Sequence, residues 1–130
     1  MIVLDTHVLV WWVSGAKQLS AGAKRAIVRQ IDERPVAVSA ISMFEIATAV
    51  RRGRLDLAIP AEQWLADVRV LPDIAFEPVS VEIAEMAGQL SPGFPGDSAD
   101  RIIVATAFAL DAKLITADER LRATGISVVW

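Results

Sequence analysis

The chain reads as an α/β protein: a three-layer, doubly wound parallel sheet of four to five strands. Three observations predict this. The short runs IVL at 2–4, VAV at 36–38 and LIT at 114–116 lack the polar alternation of a half-exposed strand, as strands covered on both faces do. Segments of helical period lie between them. Acidic residues stand just past the runs, where open α/β sheets place their ligands.

The elements follow in order. A first strand over 2–4 leads into a helix over 6–13, which Ser14-Gly15 ends. Ala23, Ile27 and Ile31 recur every fourth residue with Lys24, Arg25 and Arg29 opposite, so an amphipathic helix spans about 20–34. Pro35 stops it, and 36–38 is the second strand. Met43, Ile46, Ala47 and Val50 mark a third helix, closed by Gly53. Pro60 suits the first position of a fourth, running to about 71, with Glu62 in its first turn. A weak strand over 75–79 contains Pro78, and Ser80 caps the next helix. The breaker-rich stretch 91–96 is a loop. An apolar helix through Ile103, Ala107 and Leu110 follows, then a strand at 114–116, a short helix at 119–123 and a last strand at 127–130. With 130 residues and no interdomain linker or repeat, the reading is one domain, 1–130.

Composition narrows the function. Hydrophobic residues make up 54%, more than a chain of this length hides alone, which predicts a homodimer or a covering partner. Trp11, Trp12 and Trp64 are the large side chains expected at such a surface. No apolar run approaches the ~20 residues of a membrane span, and MIVLD lacks the basic start of a signal peptide. With no cysteine, the expected compartment is the cytoplasm. The net charge of −3 argues mildly against a nucleic-acid binder, less so if the acids concentrate in one metal pocket.

Four acids carry the chemistry. Asp5 closes the first strand, Glu45 follows the second, Asp100 opens the late apolar helix, and Asp118 lies just past 114–116. If the strand order reverses between the first strand and that at 114–116, Asp5 and Asp118 face each other across the switch, flanked by Glu45 and Asp100. Hard divalent cations prefer such oxygen ligands. Each acid also has a local explanation. Asp5 or Thr6 could cap the first helix. Ser42 and Glu45 fit the S-x-x-E capping box, as do Thr116 and Glu119, and Asp97 could cap the helix bearing Asp100. Four independent caps need not converge on one sheet edge, and the topology predicts that these four acids do.

Other polar residues are less informative. His7 reads as a partly buried helix histidine. Arg51, Arg52 and Arg54 bracket Gly53 and leave two readings open, compensation of a helix dipole and phosphate contact. No glycine-rich phosphate loop, Cys/His metal cluster or G-x-S-x-G elbow is present.

The segments VLDT at 3–6, SAISMFEIA at 39–47, GDSADRIIVATA at 96–107 and LITAD at 114–118 together resemble a PIN domain, specifically the ribonuclease toxin of VapBC toxin–antitoxin pairs. They keep the family's order, and the resemblance spans the chain. It implies a Mg²⁺- or Mn²⁺-dependent endoribonuclease acting on structured RNA of the tRNA or rRNA class, with a cognate VapB-type antitoxin. The acidic quartet would be Asp5, Glu45, Asp100 and Asp118. Asp5 and Asp100 would ligate the metal directly, Asp118 would serve a second metal or its water, and Glu45 would hold or deprotonate the attacking water. Thr6 and Thr116 would orient carboxylates, and Arg101 would be a phosphate or structural partner. One departure is Ser98, where such toxins often carry proline. Two readings compete: a catalytically silent PIN-fold binding module, and a receiver-type Mg²⁺-binding signalling domain. The receiver would need two adjacent acids after the first strand and a lysine after a late one. Here one acid follows the first strand, and Lys113 precedes a strand.

Overall fold

A computed structural model describes residues 1–130. Five strands, β1 (Ile2–Leu4), β2 (Val36–Ser39), β3 (Ile74–Glu77), β4 (Lys113–Ile115) and β5 (Val128–Val129), pair in parallel in the order β3-β2-β1-β4-β5. Leu4 lies opposite Val38 on one side and Ile115 on the other. The chain winds outward from β1 to β3, then crosses back to β4 beside β1. That reversal puts the switch point between β1 and β4, which is the condition under which the sequence places Asp5 and Asp118 at one crevice.

Six α-helices and one 3₁₀ helix cover the sheet. They are α1 (Thr6–Ser14), α2 (Ala21–Glu33), α3 (Ile41–Arg51), α4 (Ala61–Arg69), α5 (Val81–Gln89), α6 (Ser98–Ala109) and the 3₁₀ helix Glu119–Thr124. Alternate strand residues feed different cores. Ile2, Leu4, Val36, Val38, Ile74 and Ile115 pack with Val8 and Leu9 of α1, Ile27 of α2, Ile46 of α3, and Trp64 and Val68 of α4. On the opposite face Val3, Ala37 and Leu114 meet Ile103, Val104 and Ala107 of α6 and Leu121. A satellite cluster of Ile83, Ala87 and Ala105 joins α5 to α6. Two apolar faces explain why β1 is buried at all three residues and shows no alternation.

Helix ends follow local chemistry. Ser20 and Ser80 accept the backbone N–H groups of Ala23 and Ile83 and start α2 and α5. Gly15 takes a left-handed φ of 67° after α1. Ser98 begins α6 without proline, because Asp97 caps that helix. Some boundaries differ from expectation. Strand β3 ends at Glu77, before Pro78, which has no N–H to offer a ladder. Pro60 is the N-cap of α4 rather than its first residue. Residues 119–124 coil as 3₁₀, and β5 keeps only two residues. Trp64, expected at an interface, is 7% exposed and belongs to the core. Trp11 and Trp12 are half-buried against the same core.

Candidate metal-binding active site

The switch point brings acids together from four elements. Asp5 follows β1, and its N–H bonds to the carbonyl of Ile115 on β4 at 3.0 Å. Its carboxylate accepts the N–H of Thr6 at 2.8 Å and the Thr116 hydroxyl at 2.7 Å. Asp5 thus does cap α1, yet a hydroxyl 111 residues away holds its second oxygen. Two fixed donors leave the carboxylate one orientation.

Glu45 is held by the opposite wall. The Thr6 hydroxyl donates to it at 2.6 Å. Thr6 has one hydroxyl proton, so the 2.8 Å contact with Ser42 runs from Ser42 Oγ to Thr6 Oγ1. Ser42, Thr6 and Glu45 form a donor relay, with Ser42 fully buried. The S-x-x-E capping box is therefore not formed: α3 has Ala40 as N-cap and no side-chain cap. Burial pushes the Glu45 carboxyl up. The Thr6 bond opposes that, and Asp100, Asp97 and Asp5 add to it.

Asp97 and Asp100 open α6 as a reciprocal capping box. Asp97 accepts the N–H of Asp100 at 3.0 Å, and Asp100 accepts that of Asp97 at 3.1 Å. The cap does not exclude a site. Carboxylate oxygens of Glu45, Asp97 and Asp100 lie within 4.8 Å of one another. Burial raises Asp100 to about 6, with Asp97, Asp5 and Asp118 adding repulsion against the bond from the Asp97 backbone. Sequence reasoning treated Asp97 as a cap alone. Its partnership with Glu45, 52 residues earlier, leaves no local signal, and neither does the role of Ser42.

Asp118 and Arg101 differ from the rest. Asp118 Oδ2 pairs with Arg120 Nη2 at 2.7 Å, the only salt bridge in the chain, and that bond holds its carboxyl below the usual range. Asp118 caps the 3₁₀ helix, so the Thr116–Glu119 box is not formed; Thr116 instead accepts the Asp118 N–H at 3.1 Å. Arg101 points away from the acids. Its guanidinium donates to the carbonyls of Ala87 and Ser91, each at 3.1 Å, and to that of Leu90. Of its two expected roles it fills the structural one, satisfying the end of α5. His7 is exposed, not partly buried, with its ring 5.8 Å from that of Trp11.

These residues fit a hard divalent cation. Three carboxylates offer converging oxygens, and a bound dication would offset both the burial that chiefly raises Asp100 and the repulsion from neighbouring acids that adds to it. A doubly wound sheet with carboxylates gathered at its switch point defines an α/β protein with a cation-attracting acidic site.

Comparison with known proteins agrees. The family model described as PIN domain matches residues 2–126. A curated relative, Ribonuclease VapC22 of Mycobacterium tuberculosis, is 40% identical over 121 residues, covering 93% of this chain and 89% of its own. Among solved structures, a toxin–antitoxin complex from Klebsiella pneumoniae aligns with a TM-score of 0.70 at 23% identity, covering 100% of this chain and 97% of that one. Mycobacterium tuberculosis VapC20, described as a sarcin–ricin loop cleaving toxin, aligns with a TM-score of 0.72 at 18% identity over 97% and 96% of the two chains. The chain belongs to the PIN domain family, and its likeness to VapC22 places it in the VapC branch. No helix is long and apolar enough to cross a membrane.

Proposed function

We propose that this protein is a Mg²⁺- or Mn²⁺-dependent endoribonuclease, the toxin of a type II toxin–antitoxin pair, cutting structured RNA of the tRNA or rRNA class. The observation that carries the reading is the convergence of Glu45, Asp97 and Asp100 beside the oriented Asp5. The 40% identity to a relative named a ribonuclease supports the same activity. A bound dication would supply charge stabilisation at the phosphate and a water of lowered pKa. Asp5 and Asp100 would hold it, with Asp97 at the same end of α6. Thr116 keeps Asp5 aimed, and Thr6 keeps Glu45 aimed. Glu45, already raised by burial, is suited to take a proton from the attacking water. Asp118 would join by leaving Arg120 for a second metal or its water.

The proposed partners follow the same logic. An acidic pocket attracts a basic side chain, so a VapB-type antitoxin would block it with Arg or Lys. The toxin–antitoxin complex among the structural neighbours supports such a partner. Exposed Val70 and Val81 support burial of apolar surface in a homodimer. Purified protein should cut a folded tRNA only with divalent metal. Asp5→Asn should abolish cutting without unfolding the chain. Cutting that persists in excess EDTA would reject the mechanism, and a metal-loaded protein that cuts no RNA would favour a silent binding module.

A further inference from the structure

A groove of about 590 Å³ begins at the acids and runs along α1 and α3 to Arg51, Arg52 and Arg54. We propose that this groove is a track for a single RNA strand, in which the three arginines hold backbone phosphates beside the cut and Phe44 offers a stacking face to a base. The inference rests on the nuclease reading above and assigns residues that the acidic site does not use.

The side chains of Arg51, Arg52 and Arg54 make no hydrogen bond or salt bridge within the chain. The end of α3 is closed by the backbone: the N–H groups of Arg52, Gly53 and Arg54 reach the carbonyls of Thr48, Val50 and Ala49 at 2.8–3.0 Å. Gly53, at a φ of 70°, makes that turn without steric cost. No guanidinium is needed there. The salt bridge of the chain involves Arg120, and the arginine side chains that hydrogen-bond internally are Arg101 and Arg120. Three exposed cations therefore stand unpaired on one wall of a groove in an otherwise acidic chain.

Spacing and chemistry favour RNA. Arg51 follows Glu45 on the same helix by about 9 Å of rise, a short step along a strand whose cut phosphate lies at the acids. Phe44, one residue before Glu45 at the acid end of the helix, is 66% exposed, and Trp11 and His7 of α1 line the same groove. Unpaired cations at one end of a groove with aromatic faces along it match the phosphates and bases of a single strand. An acidic protein segment would satisfy the arginines but offers no phosphodiester for the acid end of the groove to act on and no flat bases for Phe44 to stack against.

The test is binding of a fluorescein-labelled oligouridylate in EDTA, by anisotropy across a salt series. Substituting all three arginines with Gln should weaken binding about tenfold or more and flatten the slope of log affinity against log salt by about 2. Phe44→Ala should weaken binding about tenfold with the slope unchanged. Lys24, Arg29 and Arg69, exposed on α2 and α4, provide the equal-charge control, whose substitution should change little. In metal, the arginine variant should raise KM for a cleaved stem-loop about tenfold and leave kcat within about twofold. An unchanged slope, an equal effect from the control, or loss of antitoxin binding alone would overturn the proposal. Arginine-dependent binding by a protein that never cuts would sink the nuclease reading and leave the groove assigned to RNA.

Discussion

Replacing Asp100 with Asn should stabilise the metal-free protein, although it removes a residue of the site. In the folded chain burial and the neighbouring Asp97, Asp5 and Asp118 raise this carboxyl from 3.8 to about 6. Between those values the folded protein holds a proton that the unfolded chain has released. Stability therefore falls as pH rises through the window, and the deficit is complete above about 6. At 1.36 kcal/mol per pH unit the ceiling is about 3 kcal/mol. Asp100 is half-buried, so solvent screening reduces this to about 1 kcal/mol. Asn removes the charge and keeps an oxygen for the Asp97 N–H, preserving the cap. In EDTA at about pH 7.5 the variant should melt about 4 °C higher than the parent, with the gap closing toward pH 4. In excess Mn²⁺ the order should reverse, because the parent gains about 2.7 kcal/mol at a hundredfold excess over Kd and the variant gains less. Calorimetry at several pH values measures all of this. A variant less stable than the parent in EDTA at neutral pH, or a gap independent of pH, would refute the reasoning.

Other outcomes test the rest of the site. Thr116→Val should cost about 1 kcal/mol of stability from the lost bond to Asp5 and reduce RNA cutting about 10–100-fold, as loss of a ligand's orienting partner does; urea melts and a gel assay measure the two effects. Arg120→Ala frees Asp118, so titration calorimetry should find Mn²⁺ bound more tightly; weaker binding would show that Asp118 takes no part. Mn²⁺ affinity should fall as pH drops through about 6, because binding must displace the proton on Asp100, and calorimetry in buffers of different ionisation enthalpy should detect that proton. Arg101→Lys should destabilise the fold by about 2 kcal/mol, since an ammonium cannot reproduce a fork across three carbonyls, while Mn²⁺ affinity stays unchanged.

What the sequence determined by itself was local and periodic. Runs such as IVL and VAV lack alternation because each residue is covered from one side or the other, so a parallel, doubly covered sheet was legible without coordinates. Ser20, Ser80, Gly15 and Gly53 marked helix ends through their own backbone and side-chain chemistry. Asp5 and Asp118 stand out because strand ends are countable positions, and Glu45 and Asp100 because helix starts are. Tertiary structure alone decided what these groups touch. Thr6 joins Glu45 across 39 residues and Thr116 joins Asp5 across 111, so no window of sequence contains either pair. The same distance dependence misled the local reading. Ser42 fitted a capping motif with Glu45, but its hydroxyl goes to Thr6; Asp97 is a cap and also the third acid of a cluster; Trp64 suited an interface and lies in the core. Periodicity reports which face of an element is apolar. Which partner occupies the other side is set by the packing of distant segments, and that packing brings Glu45 of α3 to Asp97 and Asp100 at the start of α6.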